Sequence, residues 1–304
     1  YPVAYCDAGR RRRESMASWH RNMENCRRAS ASGRSNARVA TAPSAKRPGA
    51  WAAAETPQWL RAALAEAAER TAPDMKAQEV ANTLAAYSKL DAAATAEIPT
   101  SLMGALGKAA ERTAPDMKAQ EVANALLAYS KLDWAAAKMS SSLRNALARA
   151  AERTAPNMNA QEAAITINSY SKMSKVLKVE IPPTLLAALS KSAERVAPDM
   201  NAQNVAITLN AYGNLNAAAP EMPPSLRAAL AKAAERVAPD MNAQNVATTL
   251  ENYAKLRLAA AEMPPSLRAA LAEAARRVAQ TMTSLDKKMT FSACDFLQIY
   301  LELR

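Results

Sequence analysis

Histidine is almost absent from this chain: His20 is the only one in 304 residues. It lies within the first fifty positions, so everything after them lacks an imidazole base, a histidine metal ligand and a Cys–His nucleophile pair. Cysteine is nearly as scarce. Cys6, Cys26 and Cys294 are too few and too scattered for a disulfide framework or a zinc-binding spacing, which fits a reducing compartment. The six glycines (Gly9, Gly33, Gly49, Gly104, Gly107 and Gly213) form no phosphate-cradling loop. Gly104 and Gly107 fall inside a helical stretch, where they weaken the helix or permit close packing. No run of 18 apolar residues is free of charge, so none reads as a membrane span. These absences leave little for catalysis, and the expectation is a binding protein, not an enzyme. It should need no cofactor, metal ion, membrane or small-molecule substrate.

Aromatic residues make up only 5% of a chain that is 50% hydrophobic, and alanine dominates the rest. That composition suits closely packed helices better than strands, which favour aromatic and β-branched residues. The net charge of +11 is unevenly spread. Residues 1–50 hold eleven basic and three acidic residues, which is +8, whereas the remaining chain holds 28 basic and 25 acidic, which is +3. Bulk charge therefore says little about nucleic acid beyond the first fifty residues.

That first segment, with Arg10 to Arg13 and the run Ala29-Ser30-Ala31-Ser32-Gly33-Arg34-Ser35, is rich in Arg, Ser and Ala. Its composition cannot bury enough apolar surface to offset chain entropy. An organelle transit peptide has this composition. A disordered basic arm on nucleic acid and a plain solvated tail are the alternatives. The chain opens on Tyr1 in place of methionine, so a piece of a longer protein is expected.

What is abundant is repetition. Ala-Pro-(Asp/Asn)-Met recurs five times, and its prolines Pro73, Pro115, Pro156, Pro198 and Pro239 are 42, 41, 42 and 41 residues apart. A fixed period of this length marks units that bury apolar faces against one another. The unit around Pro239 shows two helices. Helix A follows Pro223-Pro224, where the missing proline N–H would lack an intrahelical partner anyway. Leu226, Leu230, Ala233, Ala234 and Val237 share one helical face, and Pro239 ends the helix. The leucine pair recurs at 60/64, 102/106, 143/147, 185/189 and 267/271, the last opening an additional helix A. Helix B starts at Asn242, a good N-cap matched by Asn159 and Asn201, while Lys76 and Lys118 cap poorly. Val246, Ala247, Leu250 and Tyr253 continue the helical period, as do Val80, Ala81, Leu84 and Tyr87. The last unit loses its proline phrase, and Phe291 to Leu301 is predicted to form a terminal helix that acts as a cap.

The predicted organisation is a basic, disordered segment over 1–50, helical repeats over 51–280, and a degenerate C-terminal helix or cap over 281–304. The fold class is all-α: an α-solenoid of stacked antiparallel helical hairpins, five pairs plus an extra helix A, about 41 residues per repeat.

The phrase Asn-Ala-Gln-Asn-Val-Ala-x-Thr-Leu-x-x-Tyr-x-x-Leu stands at Asn201 to Leu215 and at Asn242 to Leu256. A close variant is Gln78-Glu79-Val80-Ala81-Asn82-Thr83-Leu84, and a second, separate element is the proline start of helix A at Pro57-Gln58-Trp59-Leu60. These resemble octotricopeptide repeats and the related helical repeats of FAST-kinase-like, leucine-rich organelle RNA factors. The helix-B tryptophan of that family is replaced here by Ala85, Leu127, Asn168, Asn210 and Glu251. The resemblance implies a chloroplast or mitochondrial protein that binds single-stranded RNA and supports its processing, stability or translation.

With Val80, Leu84 and Tyr87 buried, a step of about 100° per residue puts Asn82, Ala85 and Lys89 on the far side of helix B. The first column then reads Asn82, Asn124, Ile165, Ile207 and Thr248, and the second Ala85, Leu127, Asn168, Asn210 and Glu251. Both vary while the buried positions hold, the pattern of one base read per repeat. Drift on a solvated face is the alternative, and Glu251 would repel phosphate. Arg61, Arg144, Arg227 and Arg268 share one helix-A position, either as phosphate anchors or as arginines whose stems pack on the helix. The recurring Glu-Arg neighbours, such as Glu111-Arg112, are adjacent and do not face each other, whereas Lys108–Glu111 and Arg149–Glu152 have i, i+3 spacing and read as surface pairs. RNA binding and a protein–protein scaffold without a nucleic-acid role are the two functions the sequence allows.

Overall fold

The computed structural model describes residues 57–177, 181–215, 222–256, 263–297 and 299. The chain divides after Ala50 into two units, and every described residue belongs to the second. The expectations for residues 1–50, for the link 216–221 and for the chain end after Leu297 concern residues outside this description, Ile299 excepted.

Fourteen α-helices and no strand occur among the described residues. The A helices are α1 (Gln58–Thr71), α4 (Thr100–Thr113), α7 (Ser141–Thr154), α9 (Pro183–Val196), α11 (Pro224–Val237) and α13 (Pro265–Val278). The B helices are α2 (Ala77–Tyr87), α5 (Ala119–Lys131), α8 (Ala160–Leu177), α10 (Ala202–Leu215), α12 (Ala243–Lys255) and α14 (Ser284–Leu297). Two short helices that the periodicity does not reveal, α3 (Ala92–Ala96) and α6 (Asp133–Ala137), lie in the first two links.

Local chemistry sets these boundaries. Five A helices have a proline at the N-cap, and in the sixth Ser140 Oγ accepts from the Leu143 N–H at 3.1 Å. Each A helix then tightens into a three-residue 3-10 turn, Ala72–Asp74 being the first; in the first five a proline blocks further α-helix, and in the sixth Gln280 stands in its place. The methionine after each turn swings into extended backbone and plugs the core: Met117, Met158, Met200 and Met241 are all buried. Asn159, Asn201 and Asn242 cap their B helices, each Oδ1 accepting the backbone N–H three residues on at 2.9 Å. At Lys76 and Lys118 the cap comes from the other direction, since Glu79 and Glu121 accept the lysine backbone N–H at 2.8 Å.

The terminal helix differs from the expected one. It begins at Ser284, seven residues before Phe291, because Thr283 and Asp286 form a reciprocal capping box: Thr283 N–H donates to Asp286 Oδ2 at 3.0 Å and Asp286 N–H to Thr283 Oγ1 at 3.2 Å.

The helices pack in two rows. Consecutive A helices touch one another from α1 to α13, and consecutive B helices from α2 to α14. Each A helix from α4 onward also packs on the B helix before it and, up to α13, on the preceding 3-10 turn. Leu84, Leu126, Ile167, Leu209 and Leu250 form a seam with no more than 1% exposure, beside the buried Tyr129, Tyr170, Tyr212 and Tyr253. Removing such a leucine from water stabilises the fold by roughly 1.5–3 kcal/mol. Tyr87, in the first unit, is only half-buried.

Small residues govern how close the rows come. A Cβ on Gly107 would meet Leu143 Cδ2 at 3.4 Å and Tyr129 Oη at 3.6 Å, so this glycine serves close packing. A Cβ on Gly213 would stand 2.2 Å from Asn252 Oδ1 on the next B helix.

Candidate nucleic-acid interface

The B helices α2, α5, α10 and α12 turn their Val, Leu and Tyr inward, and α8 its Ala163, Ile167 and Tyr170, which leaves the opposite stripe facing solvent. Gln78, Gln120, Gln161, Gln203 and Gln244 are exposed at its start. Side-by-side packing of the B helices shades the stripe further along. Asn82, on the first B helix, is exposed, whereas Asn124, Ile165, Ile207 and Thr248 are half-buried. In the second column Ala85, Leu127, Asn210 and Glu251 are half-buried, and Asn168 is buried at 8% exposure. The B row thus brings both predicted columns onto one side.

Neighbouring units also touch along these columns. Asn210 Nδ2 donates to Asn168 Oδ1 at 3.2 Å, tying α10 to α8. Ser171 Oγ donates to the Ala211 carbonyl at 3.0 Å across the same pair of helices. Glu251 pairs with Lys255 at 3.0 Å one turn along α12. Asn168 and Asn210 therefore have a structural task as well as an accessible edge on Asn210.

The arginine column sits on the A helices. Arg61 is held by Glu97 at 2.6 Å, and Arg144 Nη1 donates to the Met139 carbonyl at 2.8 Å. Arg227 and Arg268 occupy the same helix position and are half-buried. At Arg61 and Arg144, then, the guanidinium is directed at the link leading into or out of its own unit.

The Glu-Arg neighbours depart from the sequence reading. Glu111 accepts from Ser142 Oγ at 3.0 Å on the following A helix, and among the described residues neither Lys108–Glu111 nor Arg149–Glu152 forms an ion pair. Arg112, Arg153 and Arg277 donate backward to the carbonyls of Met75, Met117 and Met241 at 2.6, 2.6 and 2.8 Å. Arg195 and Arg236 do the same to Met158 and Met200. Glu69, Glu194 and Glu235 reach forward to Ser101, Ser225 and Ser266. Adjacent residues point apart, and each of these finds its partner in a neighbouring unit.

Two hollows open onto the rows. A groove of about 610 Å³ between α1 and α2 is lined by Arg61, Leu64, Asn82, Tyr87, Leu90 and Ile98. A cavity of about 190 Å³ between α7 and α8 is lined by Leu126, Arg144, Ala148, Tyr170 and Met173. Neither assembles a catalytic group, and no cluster of three metal-ligating side chains occurs among the described residues. The perturbed acids are buried ones, apart from the half-buried Tyr87. Burial pushes Tyr212 up to about 12, partly countered by its hydrogen bond to Ser190. Burial, with the charge of Asp295, pushes the Cys294 thiol up to about 12, which keeps it an unreactive thiol.

A family model described as a protein of unknown function (DUF1601) matches residues 56–84 and 101–126. Both matched stretches run from the start of an A helix to the core leucine of the B helix behind it, Leu84 and Leu126. No curated protein matches the chain. Over these two units, well under half of its length, the chain is similar to that family of unknown function.

Proposed function

We propose that this chain is an RNA-binding helical-repeat protein of a chloroplast or mitochondrion, acting in the processing, stability or translation of a transcript. In this reading the two rows are an α-solenoid of antiparallel hairpins, about 41 residues per repeat, related to the octotricopeptide-like repeats. The strand lies along the B row, where it is bound without cofactor or chemistry. One observation carries the reading: the columns led by Asn82 and Ala85, exposed or half-buried except at Asn168, change from unit to unit, while the core columns beneath them keep to Leu or Ile and to Tyr. Asn offers hydrogen bonds to a base edge, and Ile or Leu a surface for its face.

A protein-binding scaffold is the second reading, favoured by the small net charge of the chain after residue 50, 28 basic against 25 acidic residues. Retention of single-stranded RNA by residues 51–304 separates the two. The RNA reading expects binding at low salt that weakens as salt rises. Absence of RNA binding by residues 51–304 at low salt would transfer the assignment to the scaffold.

A further inference from the structure

A strand lying along the B row needs cations beside the columns that face its bases, and the arginines of the A helices are not placed there. The B row carries its own. Lys89, Lys131 and Lys172 each stand two residues after the core tyrosine of their unit, and all three are exposed. Lys131 and Lys172 follow Leu127 and Asn168 by one helical turn, at the end of the same stripe, and Lys89 stands four residues after Ala85 in the turn just beyond α2. None of the three is ion-paired among the described residues. In the two later units the pattern lapses: Asn214 takes the place of lysine, and Lys255 is held by Glu251 at 3.0 Å.

The acids of these three units are directed elsewhere. Glu79, Glu121 and Glu162 lie at the opposite end of the stripe, about 15 Å away along the helix, where each accepts the backbone N–H of the N-cap residue. Asp91, next but one to Lys89, caps α3 by accepting the Ala94 N–H at 2.8 Å. Asp133 opens α6 without pairing to Lys131. The stripe is therefore uncharged at its centre and basic along one edge.

A lysine near a helix C-terminus also has an ordinary explanation, compensation of the helix dipole. That accounts for Lys131, the last residue of α5. It does not account for Lys172, because α8 continues five residues beyond it to Leu177, outside the last turn where the dipole acts. Lysine keeps its register to the tyrosine and the variable columns, not to the helix end.

Resting on the RNA reading, we propose that Lys89, Lys131 and Lys172 form a phosphate rail, one contact per unit, which holds the backbone of a single strand while the residues one and two turns earlier face its bases. Adjacent B helices, packed roughly 8–10 Å apart, set the step of the rail. Phosphate contacts of this kind give affinity and position without sequence information.

The test is the salt dependence of the full chain binding a single-stranded RNA 20-mer of randomised sequence, followed by fluorescence anisotropy. Each phosphate neutralised on a single strand contributes about 0.7 to the slope of log affinity against log salt. The triple variant Lys89→Gln/Lys131→Gln/Lys172→Gln is expected to lower that slope by about 2. The control Lys108→Gln/Lys191→Gln/Lys232→Gln removes the same charge from exposed positions of the A helices and is expected to leave it unchanged. Asn214→Lys, which extends the rail by one unit, is expected to steepen the slope by about 0.7. RNA binding with equal slopes in wild type and the first triple variant, or equal losses in both triple variants, overturns the rail and leaves the RNA reading standing. No RNA binding by the wild-type chain at low salt removes both.

Discussion

Arg112 donates from Nη2 to the carbonyl oxygen of Met75 at 2.6 Å, joining the end of one A helix to the turn that closes the A helix before it. That carbonyl belongs to extended backbone just beyond a 3-10 turn, where no helical N–H can reach it. Four further arginines repeat the contact, and Glu111, Glu194 and Glu235, which precede Arg112, Arg195 and Arg236, reach the other way to a serine hydroxyl. The A helices α4, α9 and α11 are thus fastened to both neighbours by two consecutive residues, and this fixes the register of one unit against the next.

The arginines are exposed, so solvent reduces what each bond contributes. Replacing Arg153 by Ala should cost about 1 kcal/mol, a typical net value for one intramolecular hydrogen bond. Replacing Arg112, Arg153 and Arg195 together should cost about 3 kcal/mol if the contacts are independent. Urea melts of the three-fold variant showing no loss would mean that the rows are aligned by apolar packing alone.

Gly213 and Asn252 are a second inter-unit match. The residue after the tyrosine is Ser88, Ser130 and Ser171 in earlier units, and the residue before it is the small Ala86, Ala128, Ser169 and Ala211, so glycine and asparagine exchange bulk across the α10–α12 contact. Asn252 is fully buried and its Nδ2 donates to the Thr248 carbonyl at 2.7 Å, which leaves it no room to withdraw. Gly213→Ser should therefore destabilise by about 1–3 kcal/mol, the usual cost of overpacking. Adding Asn252→Ala should recover most of that loss. Additive penalties in the double variant would show that the two positions do not share this space.

How much of this was legible in the sequence follows from where each partner lies. The leucine, valine and tyrosine columns repeat every three to four residues inside one helix, so periodicity revealed them and Leu209 or Tyr253 was found buried as expected. The asparagine caps were legible for the same reason, because cap and capped N–H are three residues apart. The Glu111–Ser142 and Arg112–Met75 contacts span 31 and 37 residues, and no local pattern encodes them. The start of α14 is also written locally, in Thr283 and Asp286 three residues apart, although the proline phrase that marks the other units is gone. Of the candidate interface, the two columns on the B row could be placed by helix geometry. The engagement of Arg61 by Glu97 could not, since Glu97 lies 36 residues away.

The buried tyrosines make stability depend on alkaline pH. Ser190 Oγ and Tyr212 Oη share a hydrogen bond at 2.5 Å, and burial still pushes this phenol up to about 12. Burial also raises Tyr129, Tyr170 and Tyr253. An acid whose folded pKa lies above its unfolded value of about 10 keeps its stabilisation below that pH and loses it as pH rises toward the folded value. The urea midpoint should be flat up to pH about 9 and fall between pH about 10 and 12. Ser190→Ala removes the bond that lowers Tyr212, so its tyrosinate absorbance should appear at higher pH than in the wild type. A midpoint independent of pH across that window would contradict the burial of these phenols.

The identity of the bound bases, in the RNA reading, depends on the first two units in a way that can be exchanged. Asn82 and Asn124 occupy the column that carries Ile165 and Ile207 two units later, and all four lie on the same side of their B helices. An amide can pair with a base edge, whereas isoleucine can only pack on a face. The double variant Asn82→Ile/Asn124→Ile should therefore change the bases preferred at two adjacent positions, by roughly 1–3 kcal/mol each. Deleting residues 1–50, which hold +8 of the +11 net charge, should flatten the salt dependence and leave the preferred sequence intact, because phosphate contacts position a strand without reading it. Selection from a randomised RNA pool reads out both effects. An unchanged consensus after the double substitution would remove the base-reading role from this column, and loss of the consensus on deleting residues 1–50 would move sequence recognition from the B row to the first fifty residues.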